Sequence, residues 1–77
     1  MKICYKKLWI MLVEREMSKQ QLREGAEISF GTMTKLNKGE EVSLSILLKL
    51  CTSLSCNIGD ICDAVPDNSE NKEAESL

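Results

Sequence analysis

The sequence contains no histidine and very few aromatic residues. One Trp, one Tyr, one Phe and a single Pro occur among its 77 residues. Without histidine, the chain lacks the commonest general base and the commonest metal ligand. A chain of this length has room for one domain with a modest core, and it can hardly build the walls of a deep substrate cleft. We therefore expect neither an enzyme, nor a small-molecule substrate, nor a cofactor.

Long hydrophobic runs are also absent. The apolar stretch from Leu8 to Val13 is too short for the core of a signal peptide or for a membrane span. We therefore predict a cytoplasmic protein that makes no contact with a membrane and keeps its thiols reduced.

The four cysteines do not have the spacing of a zinc site. Cys51, Cys56 and Cys62 are separated by four and five residues, and a site without histidine would also need the distant Cys4. The simpler interpretation is that these thiols act as small hydrophobic groups. No metal site is predicted.

Charge is unevenly distributed along the chain. Residues 1–66 contain nine basic and eight acidic residues, whereas residues 67–77 contain one Lys and four acids. A partner senses the potential within a Debye length of about 8–10 Å, so the acidic end does not exclude an anionic partner. Residues 67–77 are too polar to offset their ordering entropy. We therefore predict a folded domain over 1–66 and a disordered acidic tail over 67–77.

Hydrophobic spacing and capping residues predict helices in the first half of the chain. A first helix is predicted over residues 5–16. Ser18, with Gln21 three residues later, fits a capping box that opens a second helix, ending near Ala26. Ser29 is predicted to cap a third helix over Phe30–Lys38, which Gly39 ends.

The second half begins with the strongest amphipathic pattern. Ser43 is predicted to cap a fourth helix that ends near residue 56, and residues 58–62 indicate a short fifth turn closed by Pro66. The residues 2–6 alternate too briefly to decide on a strand. The predicted fold class is all-α, a compact bundle of four to five short helices. The predicted core stripe of the fourth helix comprises Leu44, Leu47, Leu48, Cys51 and Leu54, widened by Leu50.

The second and third helices are short and are joined by only Glu27 and Ile28. Such helices are marginal alone, so a shared apolar seam must hold both. The seam is predicted to comprise Leu22, Ala26, Ile28, Met33 and Leu36, packed on Leu8 and Leu12. The outward faces then carry Lys19, Gln20, Arg23, Phe30, Gly31, Thr32, Thr34, Lys35 and Lys38. A capped helix that projects in this way suits phosphate at its N-terminus, and the B-DNA major groove, about 12 Å wide, admits one helix.

These segments resemble the Cro/phage-repressor (XRE-type) helix-turn-helix family of bacterial and phage transcriptional regulators. The resemblance rests on Ser18-Lys19-Gln20-Gln21-Leu22, on residues 28–39 and on the leucine pattern from Leu44 to Leu54, and it covers residues 5–62. It implies the lambda-repressor-like DNA-binding fold. It also implies a sequence-specific regulator of transcription, expected to be a repressor, that places residues 29–37 in the major groove of double-stranded DNA.

The resemblance also implies roles for individual residues. Lys19 lies where members commonly have Gln, and it should keep a phosphate contact. Lys35 is placed to reach guanine O6 and N7, and Phe30 or the Thr32 methyl to contact a thymine methyl. Asn37 and Lys38 lie where the following loop meets the DNA backbone. The complete predicted DNA-binding set is Lys19, Gln20, Arg23, Ser29, Phe30, Gly31, Thr32, Thr34, Lys35, Asn37 and Lys38.

Three residues depart from the family pattern. Glu27 replaces the usual Gly of the turn, so a non-Gly residue is expected at positive φ, at a cost of about 1 kcal/mol. Arg23 replaces the common Ala, and its stem is expected to lie along the seam while its guanidinium points to DNA phosphate. Gly31 has no side chain at a reading position, which favours shape readout.

A single short recognition helix reads few base pairs, and this architecture usually binds two half-sites about 34 Å apart. A homodimer is therefore expected, with a surface near Ile58, Ile61 and Val65. Trp9 fits the core and the dimer surface equally well.

Two other functions remain open. One is a protein-interaction module, such as an antitoxin-like partner or a helical adaptor, that uses the acidic tail. The other is a thiol or metal sensor built on Cys51, Cys56 and Cys62.

Overall fold

The structure, a computed structural model, describes residues 1–67. The predicted bundle of short helices is confirmed, and within residues 1–67 no helix is long and apolar enough to cross a membrane. The tail predicted over 67–77 lies, apart from its first residue, outside the described residues. In chain order the elements are β1 (Lys2–Cys4), α1 (Lys6–Glu14), α2 (Lys19–Ala26), α3 (Phe30–Lys38), α4 (Leu44–Leu54), a 3₁₀ helix (Ile58–Asp60) and β2 (Asp63–Val65).

A serine caps the N-terminus of each of the helices α2, α3 and α4, as predicted. The Ser18 hydroxyl accepts a hydrogen bond from the Gln21 N–H, and the Gln21 side chain accepts one from the Ser18 N–H, which completes the capping box. Ser29 and Ser43 likewise accept from the N–H group three residues further on. Each cap satisfies a backbone donor that has no partner within the helix, and its loss costs about 1 kcal/mol.

Left-handed residues follow the helices and turn the chain. Gly39, with φ of 76°, ends α3, and Glu27, with φ of 58°, ends α2. The positive φ predicted at Glu27 is therefore confirmed. Glu16 after α1 and Ser55 after α4 adopt the same conformation. At these three non-glycine positions the Cβ is crowded by the backbone, which costs about 1 kcal/mol each.

The core lies where the four helices meet. All the predicted seam residues are buried, which confirms that one apolar layer holds α2 and α3 together. Helix α2 packs on α4. The approach is close at Gly25, where an added Cβ would lie 3.0 Å from the Ser53 hydroxyl oxygen. The core comprises Tyr5, Leu8, Leu12, Leu22, Ala26, Ile28, Met33, Leu36, Leu47, Leu50, Leu54 and Ile61.

The predicted core stripe of α4 is wrong at two of its leucines. Leu44 is 61% exposed and Leu48 is 52% exposed, whereas Leu47, Leu50 and Leu54 are buried. Apolar residues occupy more of this helix than one stripe can use, so their spacing alone did not show which side faces the core.

A two-stranded ribbon joins the two ends of the described chain. Strands β1 and β2 are antiparallel, with Lys2 opposite Val65 and Cys4 opposite Asp63. The Lys7 ammonium reinforces this junction, because it donates to the Gly59 carbonyl (3.0 Å) and pairs with Asp63 (3.1 Å). Two strands of three residues each give too little alternation for prediction.

The structure also corrects the predicted dimer surface. Ile61, which precedes the ribbon strand, is fully buried in the core of the single chain. Its side chain therefore cannot contribute to a surface between copies, and the prediction was wrong at this residue.

Candidate nucleic-acid interface

The predicted contact residues all lie on the outer side of α2 and α3. Nine of the eleven are exposed, and Arg23 and Thr32 are half-buried. The buried seam on the opposite side of both helices forces this arrangement. A surface groove of about 330 Å³ runs between the two helices, lined by Lys19, Gln20, Arg23, Phe30 and Met33. We call the surface formed by the eleven residues the α2–α3 face.

Arg23 and Phe30 form one contact between the two helices. The guanidinium carbon of Arg23 lies 3.9 Å from the centroid of the Phe30 ring. The Arg23 side chain is only 19% exposed, and a guanidinium nitrogen is 3.8 Å from a carboxylate oxygen of Glu24. Phe30, in contrast, is 72% exposed. The ring therefore presents an apolar edge to solvent while a cation covers one of its faces.

Lys19 and Asn37 form a second contact between the helices, and Trp9 of α1 joins them. The Lys19 ammonium donates to the Asn37 side-chain oxygen at 2.6 Å and lies 4.3 Å from the centroid of the Trp9 ring. Sequence reasoning missed Trp9 as part of this surface. The helical spacing placed it within α1 but carried no signal of a contact with the start of α2.

The cap of α3 fixes the hydroxyl groups at its start. The Ser29 hydroxyl accepts from the Thr32 N–H and donates to the Thr32 hydroxyl oxygen. The Thr32 hydroxyl therefore keeps its own hydrogen for an outside acceptor. The Thr34 hydroxyl instead donates to the Phe30 carbonyl at 3.0 Å, so it retains only acceptor capacity.

The last turns of α3 carry two unengaged cations. Within residues 1–67, neither Lys35 nor Lys38 has an ion pair or a side-chain hydrogen bond. Gly31 leaves open space, because an added Cβ would meet only the Ser29 hydroxyl oxygen, at 3.8 Å. On α2, the Gln20 amide donates to the Glu24 carboxylate at 3.2 Å. The free cationic groups of this surface thus belong to α3.

The cysteines do not belong to the α2–α3 face: Cys4 lies in β1, Cys51 in α4, and Cys56 and Cys62 follow α4. Burial, followed by the neighbouring Cys51, raises the pKa of the Cys56 thiol, and burial, followed by Asp63, raises the pKa of the Cys62 thiol. A raised pKa lowers the thiolate fraction at neutral pH, which is the opposite of what a reactive thiol needs. Within residues 1–67, no group of three or more Cys, Asp or Glu residues is arranged to hold a metal ion.

Comparisons with known proteins agree with the resemblance drawn from the sequence. Residues 7–67 match the model of the Cro/C1-type helix-turn-helix DNA-binding domain. The chain is also similar to the transcriptional regulator VanUg in its crystal structure of form II, with a TM-score of 0.82 and 46% sequence identity. That similarity covers 84% of this chain and 87% of the VanUg chain. A comparison with curated proteins gave no match. The chain belongs to the Cro/C1-type helix-turn-helix DNA-binding family.

Proposed function

We propose that the protein is a sequence-specific regulator of transcription that represses by placing α3 in the major groove of an operator. Its family and its 46% identity to a protein described as a transcriptional regulator support this proposal. The observation that carries it is the outer side of α3, where the Phe30 and Lys35 side chains are largely exposed to solvent. The protein would act in the cytoplasm and without a catalytic step.

The side chains of α3 supply the chemistry for base reading. The Lys35 ammonium is a donor suited to guanine O6 and N7, and the Phe30 edge and the Thr32 methyl suit a thymine methyl. The Thr32 hydroxyl adds a free donor. Because Gly31 contributes no side chain, the backbone of α3 can approach the bases closely there, and the shape of the duplex contributes to specificity.

Phosphate contacts would flank the reading helix. Lys38 lies in the last turn of α3 and has no ion pair or side-chain hydrogen bond among the residues that the structure describes. Lys19 and Asn37 form a second donor group, because the Lys19 ammonium already donates to the Asn37 side-chain oxygen. Phosphate contacts of this kind set the position of the protein on the duplex and carry no sequence information. They also make binding fall steeply with salt, because counterions are released.

A homodimer bound to two half-sites completes the proposal. One helix of nine residues contacts only a few base pairs, and two copies would read half-sites about 34 Å apart. Sedimentation of the protein with a selected duplex should give two chains per duplex. One chain per duplex would contradict the dimer and leave DNA binding in place.

Selection of bound sequences from a random duplex library tests the proposal. The wild type should enrich two copies of a short motif in an inverted arrangement. A variant with Thr32→Ala and Lys35→Ala should still fold and should lose the sequence preference. The matched control carries Thr52→Ala and Lys49→Ala on the outer side of α4, where both residues are exposed, and it should enrich the wild-type motif. Enrichment of that motif by the Thr32 and Lys35 variant would refute the role of α3.

A further inference from the structure

We propose that Trp9 is a positioning residue of the DNA interface, which holds the Lys19 ammonium, together with Asn37, in the orientation that receives one phosphate. The inference rests on the proposed function, because it concerns how the same face meets DNA. Trp9 itself lies on α1, outside the two helices of the helix-turn-helix unit. Its role is therefore indirect.

The contacts of Lys19 use up part of its hydrogen-bonding capacity. A lysine ammonium has three donors and no acceptor. One donor points to the Asn37 side-chain oxygen at 2.6 Å, and the negative face of the Trp9 ring, 4.3 Å away, attracts the charge from a second side. The remaining donor capacity faces solvent, since Lys19 is exposed. The ammonium is thus held in place and is still able to bind an anion.

Lys19 also fixes the orientation of the Asn37 side chain. Because an ammonium can only donate, the Asn37 amide must turn its oxygen toward Lys19 and its NH₂ group away. The amide then adds two outward donors at the end of α3. Lys19 and Asn37 together present donors without an opposing acceptor, which is the arrangement that a phosphate oxygen recognises.

The benefit of the Trp9 ring lies in preorganisation. A free lysine side chain samples many rotamers and loses this freedom when it binds. The ring removes part of that freedom in advance, so less is lost when phosphate arrives. Removing the ring should therefore weaken DNA binding even though Trp9 never touches DNA.

A double-mutant cycle tests this positioning role. Affinity for the selected duplex is measured at several salt concentrations for the wild type, Trp9→Phe, Trp9→Leu, Lys19→Ala and the variant carrying both Trp9→Leu and Lys19→Ala. We expect Trp9→Leu to bind about three- to fivefold more weakly than the wild type, the size of an exposed cation–π contact. Trp9→Phe should recover part of the loss, because it keeps a ring. Trp9→Leu should cause no further loss once Lys19 is Ala.

The cycle separates positioning from a general effect on folding. Circular dichroism at the assay temperature confirms that each variant is folded, and a merely structural role of Trp9 would weaken the Lys19→Ala protein as much as the wild type. That result, or unchanged binding by Trp9→Leu, would overturn the inference and leave the proposed function standing. A wild type that binds no duplex would overturn both.

A second readout does not depend on DNA. Trp9 is the single Trp of the chain, so the Trp emission comes from this ring alone and responds to the groups around it, among them the Lys19 ammonium. Lys19→Ala should change the emission of the free protein, whereas Lys35→Ala should leave it as it is. An emission that is the same in the wild type and Lys19→Ala would show that the contact is absent in solution and would overturn the inference.

Discussion

The guanidinium of Arg23 covers one face of the Phe30 ring, with 3.9 Å between the guanidinium carbon and the ring centroid. This contact links α2 to the first residue of α3. It also changes what Arg23 offers to DNA, because the guanidinium is held over the ring instead of extending freely toward a phosphate. Phe30 is therefore covered by Arg23 on one face of its ring, and the residue as a whole remains 72% exposed.

Phe30→Ala should weaken DNA binding without weakening the fold. The exposed ring contributes little to the core, but on DNA it would cover a thymine methyl. Losing one such apolar contact costs about 0.8 kcal/mol per buried methyl-sized group, or roughly fourfold in affinity. The control is Val13→Ala, which truncates an exposed apolar side chain on α1 that does not belong to the α2–α3 face. Equal affinity of both variants for the selected duplex would count against a role for the ring.

Leu50→Ala and Leu48→Ala should differ sharply in stability. Leu50 is fully buried, so its truncation should lower the free energy of unfolding by about 2–5 kcal/mol. Leu48 is half exposed in the same helix, and its truncation should cost less than about 1 kcal/mol. Urea denaturation of the two variants measures the difference. Similar losses at both positions would mean that α4 faces the core through a different side.

Glu27→Gly should stabilise the protein, whereas Gly39→Ala should destabilise it. Glycine adopts positive φ without steric cost, so replacing Glu27 should raise the free energy of unfolding by up to about 1 kcal/mol. At Gly39 nothing lies within 4 Å of an added Cβ, so the loss of about 1 kcal/mol there would come from the backbone alone. Thermal melts should show a higher melting temperature for Glu27→Gly and a lower one for Gly39→Ala, which would support the left-handed turns on both sides of α3. A change of melting temperature in the same direction for both variants would contradict these left-handed turns.

Tyr5 should make the fold sensitive to alkali. Its hydroxyl donates to the Glu40 carbonyl at 2.8 Å, and burial, followed by the nearby Cys62, raises the pKa of Tyr5 above 10.0. The folded state therefore holds this proton more tightly than the unfolded state. The contribution is complete below a pH of about 10 and declines as the pH rises through the folded-state pKa.

Tyr5→Phe provides the comparison for this pH dependence. The variant should be about 1 kcal/mol less stable at neutral pH, because the Glu40 carbonyl loses its donor. The difference between the two proteins should shrink in urea denaturation above a pH of about 10, since only the wild type loses the contribution there. A constant difference across this range would contradict the raised pKa of Tyr5.

Local signals in the sequence predicted most of the helical fold. Ser18, Ser29, Ser43 and Gly39 mark helix ends by side-chain and backbone chemistry that acts within a few residues, and the structure confirms each of them. The αL conformation of Glu27 followed from the family pattern, in which Gly usually occupies this turn position.

The errors arose where the deciding contact is distant in sequence. Leu44 and Leu48 extend an apolar pattern that does not say which third of α4 faces solvent. Ile61 is buried because the chain returns to the core before β2, and the ribbon pairs two segments from opposite ends of the domain. The contacts of Trp9 with Lys19 and of Arg23 with Phe30 likewise depend on how helices pack.

Major-groove base modification tests the central claim most directly, namely that α3 reads base edges in the major groove. The selected duplex is rebuilt with 7-deazaguanine and uracil, which remove guanine N7 and the thymine methyl from the major groove, and separately with inosine, which removes only the guanine amino group of the minor groove. We predict that the first duplex binds the wild type at least about fivefold more weakly, with a smaller effect on Phe30→Ala and Lys35→Ala, and that inosine has little effect. Unchanged affinity for the major-groove duplex, with loss of affinity on inosine substitution, would contradict the account.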